Sequence, residues 1–394
     1  MLSAKETLEK TLALVGPLGI ETAPLHEAAG RVLAAPISAQ RNQPPFDASA
    51  MDGYAVRADE ATLGATLTVV GEIPAGGAYE GEMPPASTVR IFTGAPMPAG
   101  ADAVLIQEDA TRDGDSLTVD EAPAKGAHIR PGGLDFLAGS RLTPPRRLTS
   151  AEIALAASMN APFLEVYRRP VVSLIATGDE LVSPGGAPGP TQIISSNNYG
   201  LAAMLAAAGA TPVIQPIAAD NRAALTEALE ASLSADLIVT LGGASVGDYD
   251  LVRDVFGEGG LDLSFYKVAM RPGKPLMAGT VRGVPMVGLP GNPVSSMVLG
   301  HLLLRPAMDV MQGLPAAPLP RRKARLGDAI PKNGPREHYM RARLEETDEG
   351  LIAFPFPNQD SSLLSVLAAA NGLVVHAAGA GAMAPGEAID AIFF

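Results

Sequence analysis

Leu237-Ile238-Val239-Thr240-Leu241 runs straight into Gly242-Gly243-Ala244-Ser245-Val246-Gly247, and this junction decides the fold. An unbroken apolar run of this length predicts a strand buried on both faces. A glycine loop at its carboxyl end lets a ligand's phosphate approach backbone N–H groups. Two acids follow, Asp248 and Asp250. Then come a cationic turn from Lys267 through Arg271 to Lys274 and a second glycine turn, Leu289-Pro290-Gly291-Asn292-Pro293. Carboxylates hold hard cations, and Lys and Arg hold anions. The segment from Asp236 to Pro293 thus carries the parts of a site for a phosphorylated, metal-assisted substrate.

Working outward, Val171–Ala176 predicts a buried strand, and Tyr199–Ala208 a helix ended by Gly209. Pro212–Ile217 reads as a second strand, and residues 221–233 as a helix capped by Asp220. Strands alternating with helices imply βαβ units and a parallel sheet. Ligands of such sheets sit beyond the carboxyl ends of the strands. Thr177-Gly178-Asp179-Glu180 and the glycine loop both fall there, on one edge. Downstream, Val294–Met311 predicts a long apolar helix, residues 314–320 a proline-rich linker, and the remainder β structure. The first 168 residues have a different texture. Capping boxes at Ser3–Glu6 and Thr149–Glu152 predict helices over 4–15 and 150–158. Leu25–Leu33 reads as another short helix, and residues 65–130 as short strands between Gly/Pro turns, a small barrel or sandwich. Arg168-Arg169-Pro170 marks a boundary.

The 394 residues, 47% hydrophobic and 18% charged, describe a globular chain of several domains. A formal charge of -13 argues against sequence-independent nucleic-acid binding and docking on anionic membranes. The absence of cysteine excludes disulfides, thiolate metal sites and a thiol nucleophile. With no signal-peptide pattern and no membrane-length apolar stretch, the expectation is a cytoplasmic protein.

The glycine loop has three readings. Gly243-Ala244-Ser245-Val246-Gly247 fits G-x-S-x-G, a nucleophile elbow, with His301, His338 or His376 as a later base. Alternatively it is an anion nest in which Ser245 donates to phosphate and Asp248 or Asp250 holds Mg²⁺. The plain alternative is a strand–helix turn with Asp248 as N-cap. The proline-rich run Pro44–Val56 carries Asp47 and Asp52 either as turn formers or as site acids. The five histidines show no metal-ligand spacing.

Taken together, PPFDASAMDGYAV (44–56), IFTGAPMPAGADAV (91–104), TGDEL (177–181), Ser195-Ser196-Asn197, GGASVG (242–247), RPGKP (271–275) and GLPGNPVS (288–295) resemble the molybdopterin molybdenumtransferases, bacterial MoeA and the E domain of gephyrin among them. The likeness covers nearly the whole chain, in order. It implies a multidomain α/β fold: a segmented, largely helical domain (1–50 and 131–168), a β insertion (51–130), a parallel-sheet molybdopterin-binding domain (169–313) and a C-terminal β-barrel (314–394). It implies a Mg²⁺-dependent transferase that converts adenylylated molybdopterin and molybdate to molybdenum cofactor and AMP. Its partners would be a second copy that shares the active cleft, a molybdopterin adenylyltransferase and apo-molybdoenzymes. Sibling readings are the adenylyltransferase itself and a scaffold of the same fold.

Position by position, the resemblance makes Asp52, Thr93, Asp135, Glu180, Asp220 and Asp250 the catalytic set; of these, Glu180 and Asp250, both at the predicted strand-end edge, are the expected metal ligands. Gly242, Gly243, Ser245, Gly247, Lys267, Arg271, Lys274, Pro290, Pro293, Arg341 and Ser361 are the substrate-binding set. Arg271 stands where Lys is common in the family, which replaces a point charge by a forked donor.

Overall fold

The computed structural model describes residues 1–242 and 251–394. Its central sheet has six strands: β1 (Val171–Ala176), β2 (Thr211–Ile214), β3 (Leu237–Leu241), β4 (Leu261–Tyr266), β5 (Met277–Val281) and β6 (Val284–Leu289). The order is β2-β1-β3-β6-β5-β4. The first four are mutually parallel, whereas β5 and β4 continue as an antiparallel meander. Every residue of β3 is buried, as a central parallel strand requires.

Successive side chains leave a strand on opposite faces, and each face has its own core. Leu174, Val239 and Leu289 pack with Leu201 and Leu205 of α1 (Asn197–Ala207) and Val298 of the helix starting at Pro293. Ile175, Ile238 and Met286 pack on the other side with Leu225 and Leu229 of α2 (Arg222–Ser232) and with Val255 and Phe256 of α3 (Leu251–Glu258). The chain leaves β1 toward β2 on one side and returns to β3 on the other. The strand order therefore reverses between β1 and β3, where a doubly wound sheet opens its crevice.

Four local expectations change. The first helix covers Ala4–Leu12 only; its Ser3–Glu6 capping box is formed. Leu25–Leu33 is not a helix: a 3₁₀ turn at Leu25–Glu27 precedes a strand at Val32–Leu33, which pairs with Arg146-Arg147 and Val166. Both strand residues are fully buried, so tertiary pairing overrides local propensity. The α2 cap is Asn221, whose side chain accepts from the Ala224 N–H at 3.0 Å, not Asp220. The long helix is interrupted: α4 (Pro293–Leu299) passes through a π-helical turn, Gly300–Leu304, into α5 (Arg305–Met311). Pro306 has no N–H to continue the ladder, which accounts for the change of pitch there.

Residues 20–33 and 146–167 share a four-stranded sheet covered by the helix Ser150–Ser158. Two ion pairs fasten this region to the α/β layers: Arg147 to Asp309 at 2.8 Å, and Arg168 to Asp236 in a two-point contact. Residues 53–119 form a six-stranded sheet with a core on each face. Beyond residue 321, five strands close into a barrel through the pairing of Glu337–Thr347 with Gly372–His376. A short strand, Met270-Arg271, adds to that barrel in parallel and joins the cationic turn to it. Among the described residues no helix is long and apolar enough to cross a membrane.

His338 and His376 are cross-strand partners in the barrel, and both are buried. Burial, with Arg271, His376, Arg341 and Arg336 nearby, pushes His338 down to about 4. The unfolded chain takes up this proton near pH 6.5, while the fold resists it until about 4. Stability is therefore lost as pH falls between those values, by roughly 3 kcal/mol from this group. In His338→Asn, unfolding free energy measured from pH 7 to 4 should fall less steeply by about that amount. An unchanged slope contradicts the assignment.

Candidate functional site

A cavity of about 870 Å³ opens at the carboxyl ends of β1, β3 and β6. Ala176 ends β1 and Thr177 and Gly178 follow it, Leu241 ends β3 and Gly242 follows it, and Pro290–Pro293 follow β6. Glu180, Asp220, Ser195–Asn197 and Ser362 complete most of its wall. The predicted strand-end edge is thus one continuous concavity. Gly242, Pro290, Pro293, Glu180 and Asp220 of the predicted set all line it.

Close backbone packing shapes its floor. Gly242 has φ +95°, and a Cβ there would stand 2.9 Å from the Thr177 carbonyl oxygen and 3.0 Å from its hydroxyl. A Cβ on Gly291 would stand 3.5 Å from Gly242 Cα. Only glycine admits this crossing of three strand ends without strain. The Gly242 N–H donates to Leu289 O at 3.2 Å and the Thr177 N–H to Leu241 O at 3.0 Å, so the crossing is hydrogen-bonded as well as tight. Asn197 Nδ2, at the start of α1, donates to Gly291 O at 2.7 Å and fixes the second glycine turn against the first.

Three acids cluster on the edge. The Asp220 N–H donates to Asp179 Oδ1 at 3.0 Å. The Glu180 carboxylate folds back over Gly178, where a Cβ would lie 2.4 Å from Oε2. Partial burial, then the negative charges of Asp179 and Glu180, hold the Asp220 carboxyl above its usual range. Among the described residues no three acids or histidines converge as a ready-made metal cage. The crowding is of the kind that a cation relieves.

The remaining predicted residues are distributed as follows. Gly243, Ser245, Gly247 and Asp250 lie outside the described residues. Lys267, Arg271 and Lys274 stand on one turn, held by Lys267 N–H to Leu276 O and Val268 N–H to Lys274 O. Lys267 Nζ lies 4.8 Å from the centre of the Tyr266 ring. Pro275, next to Lys274, lines the cavity, while Arg271 lines a separate polar cavity of about 350 Å³ with Lys332, His338 and His376. Ser361 accepts from Asn292 Nδ2 at 3.0 Å, and its carbonyl accepts from the Val294 N–H. Arg341 is 1% exposed. Its guanidinium donates to Gln359 Oε1, Leu363 O and Asn358 O. It holds the loop that carries Ser361 and Ser362 and does not itself line the 870 Å³ cavity.

Asp52 and Thr93 meet although 41 residues separate them. The Thr93 N–H and hydroxyl each donate to Asp52 Oδ1 at 2.8 Å. These two bonds, and after them the Arg90 charge, hold the Asp52 carboxyl below its usual range. Neither residue lines the cavity. Asp135 occupies an exposed turn, its N–H on Gln43 O at 2.9 Å. None of His301, His338 and His376 lines the cavity either, so a hydrolase triad is not assembled among the described residues. Ser362, within the patch 361–365, and Arg90, within the predicted strand 88–92, receive no site role from the sequence, because neither carries a spacing signal.

Three family models match the chain: the MoeA N-terminal region (domain I and II) over residues 2–160, a probable molybdopterin binding domain over 173–310, and the MoeA C-terminal region (domain IV) over 323–394. The chain belongs to the MoeA family. It is 40% identical over 366 residues to molybdopterin molybdenumtransferase 2 of Mycobacterium tuberculosis, covering 90% of each chain. It is 38% identical to the molybdopterin molybdenumtransferase of a Nostoc species, over 85% of this chain and 79% of that one. The crystal structure of a molybdopterin biosynthesis MoeA protein from Pyrococcus horikoshii superposes with a TM-score of 0.84 at 26% identity, covering 100% of both chains.

Two outcomes follow from this geometry. Arg341→Met should leave buried carbonyls unpaired, cost about 2–3 kcal/mol, and speed amide hydrogen exchange across 358–363; exchange unchanged there would deny the clamp. Asp220 binds its proton more tightly in the fold than when unfolded, so stability from this group declines as pH rises through its range. Asp220→Asn should therefore raise the melting temperature at pH 7 and lose that advantage near pH 3; a lower melting temperature at pH 7 would count against the crowding.

Proposed function

We infer that this protein is a molybdenum insertase, a transferase that converts adenylylated molybdopterin and molybdate to molybdenum cofactor and AMP. The carrying observation is the composition of the cavity wall. The α/β strand ends supply most of it, and the C-terminal barrel supplies Ser362. An adenylyltransferase of the α/β domain alone would have no use for that loop, and no described feature favours a scaffold.

Glycine-lined strand ends suit the pyrophosphate link of the adenylylated substrate. The chain's acids suit a hard cation: Mg²⁺ takes one or two carboxylates together with substrate phosphates. Glu180 would hold it, with Asp220 beside it and Asp250 as the further candidate. When bound, the ion offsets charge on the phosphate oxygens. Lys267, Arg271 and Lys274 provide the charge that attracts molybdate, a tetrahedral dianion. Asn197 keeps the second glycine turn in place against α1.

Asp52 and Thr93 act in the cleft of a second copy, so the working unit is a homodimer with shared sites. Support comes from the closed Asp52–Thr93 pair, which is exposed and away from the cavity of its own chain. The molybdopterin adenylyltransferase and apo-molybdoenzymes are its supply and its outlet, in the cytoplasm.

The test is molybdate-dependent AMP release from adenylylated molybdopterin, read together with activation of an apo-molybdoenzyme. Asp52→Asn and Glu180→Gln should each lower AMP release by ~100-fold or more. Mixing the two inactive variants as subunits should restore roughly a quarter of wild-type activity, through the one intact cleft of each mixed dimer. No recovery on mixing would contradict the shared cleft, and no AMP release by the wild type would contradict the reaction.

A further inference from the structure

We propose that Arg90 is a positioning residue of this reaction, the group that holds the Asp52–Thr93 pair in its working geometry. The proposal rests on the reading that this pair acts in a partner's cleft. Arg90 lies on the strand Ser87–Ile91, three residues before Thr93. Its cross-strand neighbour is Tyr54, on the strand that begins directly after Asp52. The guanidinium is held between two rings, 4.8 Å from the centre of Tyr54 and 5.1 Å from that of Phe92. It donates to Gln107 Oε1 at 2.7 Å and to Gly53 O at 3.4 Å. The Gln107 N–H in turn donates to Asp52 O at 3.3 Å.

These contacts converge on Asp52 and the residue after it. Asp52 is held by its carbonyl through Gln107 and by Oδ1 through Thr93, and its successor Gly53 is held through Arg90. Oδ2 has no partner among the described residues and is free to meet a cation or a polar substrate group.

The arginine just past the strand Gly53–Val56 differs. Arg57 serves the backbone, donating to Met83 and Pro84 carbonyls beside Glu60 and Glu82. Arg90 instead has a charge held in place by aromatic faces, a geometry that fixes a guanidinium without neutralising it. The other charged groups around it are few. Glu72 is its register partner on the neighbouring parallel strand, and Glu108 accepts from Gln107 Nε2 at 3.2 Å. Asp52 is the one that the Thr93 bonds fix in place, and it is the one placed in the cleft by the functional reading.

The experiment follows the Asp52 carboxyl of the full-length protein by carbon NMR with labelled aspartate, alongside kcat and KM for AMP release across pH. Arg90→Met should move the Asp52 titration to higher pH and carry the acidic limb of the rate profile with it. It should lower kcat by ~10- to 100-fold with little change in KM, as loss of positioning predicts. Arg90→Lys, which keeps the charge and loses the planar fork, should restore the titration and only part of kcat. An Asp52 titration in Arg90→Met that superimposes on wild type overturns the proposal. So does a moved titration with AMP release unchanged. Asp52→Asn then locates the fault: if that variant is also silent, the reading of the pair in the cleft has failed; if it is damaging, Arg90 alone was misassigned.

Discussion

The crossing of Gly242 with Thr177 and Gly291 is the constraint on which the site depends. Three parallel strands must end within van der Waals contact of one another for their loops to enclose one cavity. A side chain at Gly242 would stand on the Thr177 carbonyl and force β1 and β3 apart. The apolar strands bring the ends together through burial on both faces, and the missing Cβ lets them close. The acids, the second glycine turn and the helix start at Asn197 are then placed by the sheet and not by the loops' own preferences.

The barrel reaches the cavity's rim through a chain of contacts. Arg341 holds the 358–363 loop from inside the barrel, Ser361 docks on Asn292, and Ser362 meets the cavity. Separately, Met270-Arg271 pairs with the barrel's first long strand. The barrel and the α/β layers are thus joined at two places, at the cavity wall through Ser361 and Ser362 and beside the separate Arg271 cavity through Met270-Arg271. This explains how a domain some hundred residues removed in sequence takes part in one pocket. It also changes the role of Arg341, which acts on the cavity through the loop it supports.

Much of this was legible in the sequence. The runs at 171–176 and 237–241, apolar but for Ser173 and Thr240, gave two interior strands, because burial on both faces leaves little polar alternation to confuse the reading. The capping box at Ser3 is present as read. Failures occurred where a tertiary partner decided the outcome. Val32-Leu33 is a strand because Arg146, Arg147 and Val166 lie beside it, a pairing across more than a hundred residues. Asp220 reads as a cap because Asn221 next to it is equally suited, and spacing does not separate them. The antiparallel edge strand does carry a period-2 run, Leu261-Asp262-Leu263-Ser264-Phe265, but the run is short and the sequence reading made no use of it. Of the site, the cavity acids and glycine turns were visible as motifs. Ser362 and Arg90 were not, since a single serine or arginine gains meaning only from what packs against it.

The central claim is that the substrate's phosphate end lies over the Gly242 crossing. Isothermal titration of AMP with Mg²⁺ into wild type and Gly242→Ala tests it most directly. The added Cβ in a positive-φ position should cost ~1–2 kcal/mol of stability, leave the protein folded, and weaken AMP binding by ~10-fold or more. Equal affinity in the two proteins, with Gly242→Ala folded, would contradict the account.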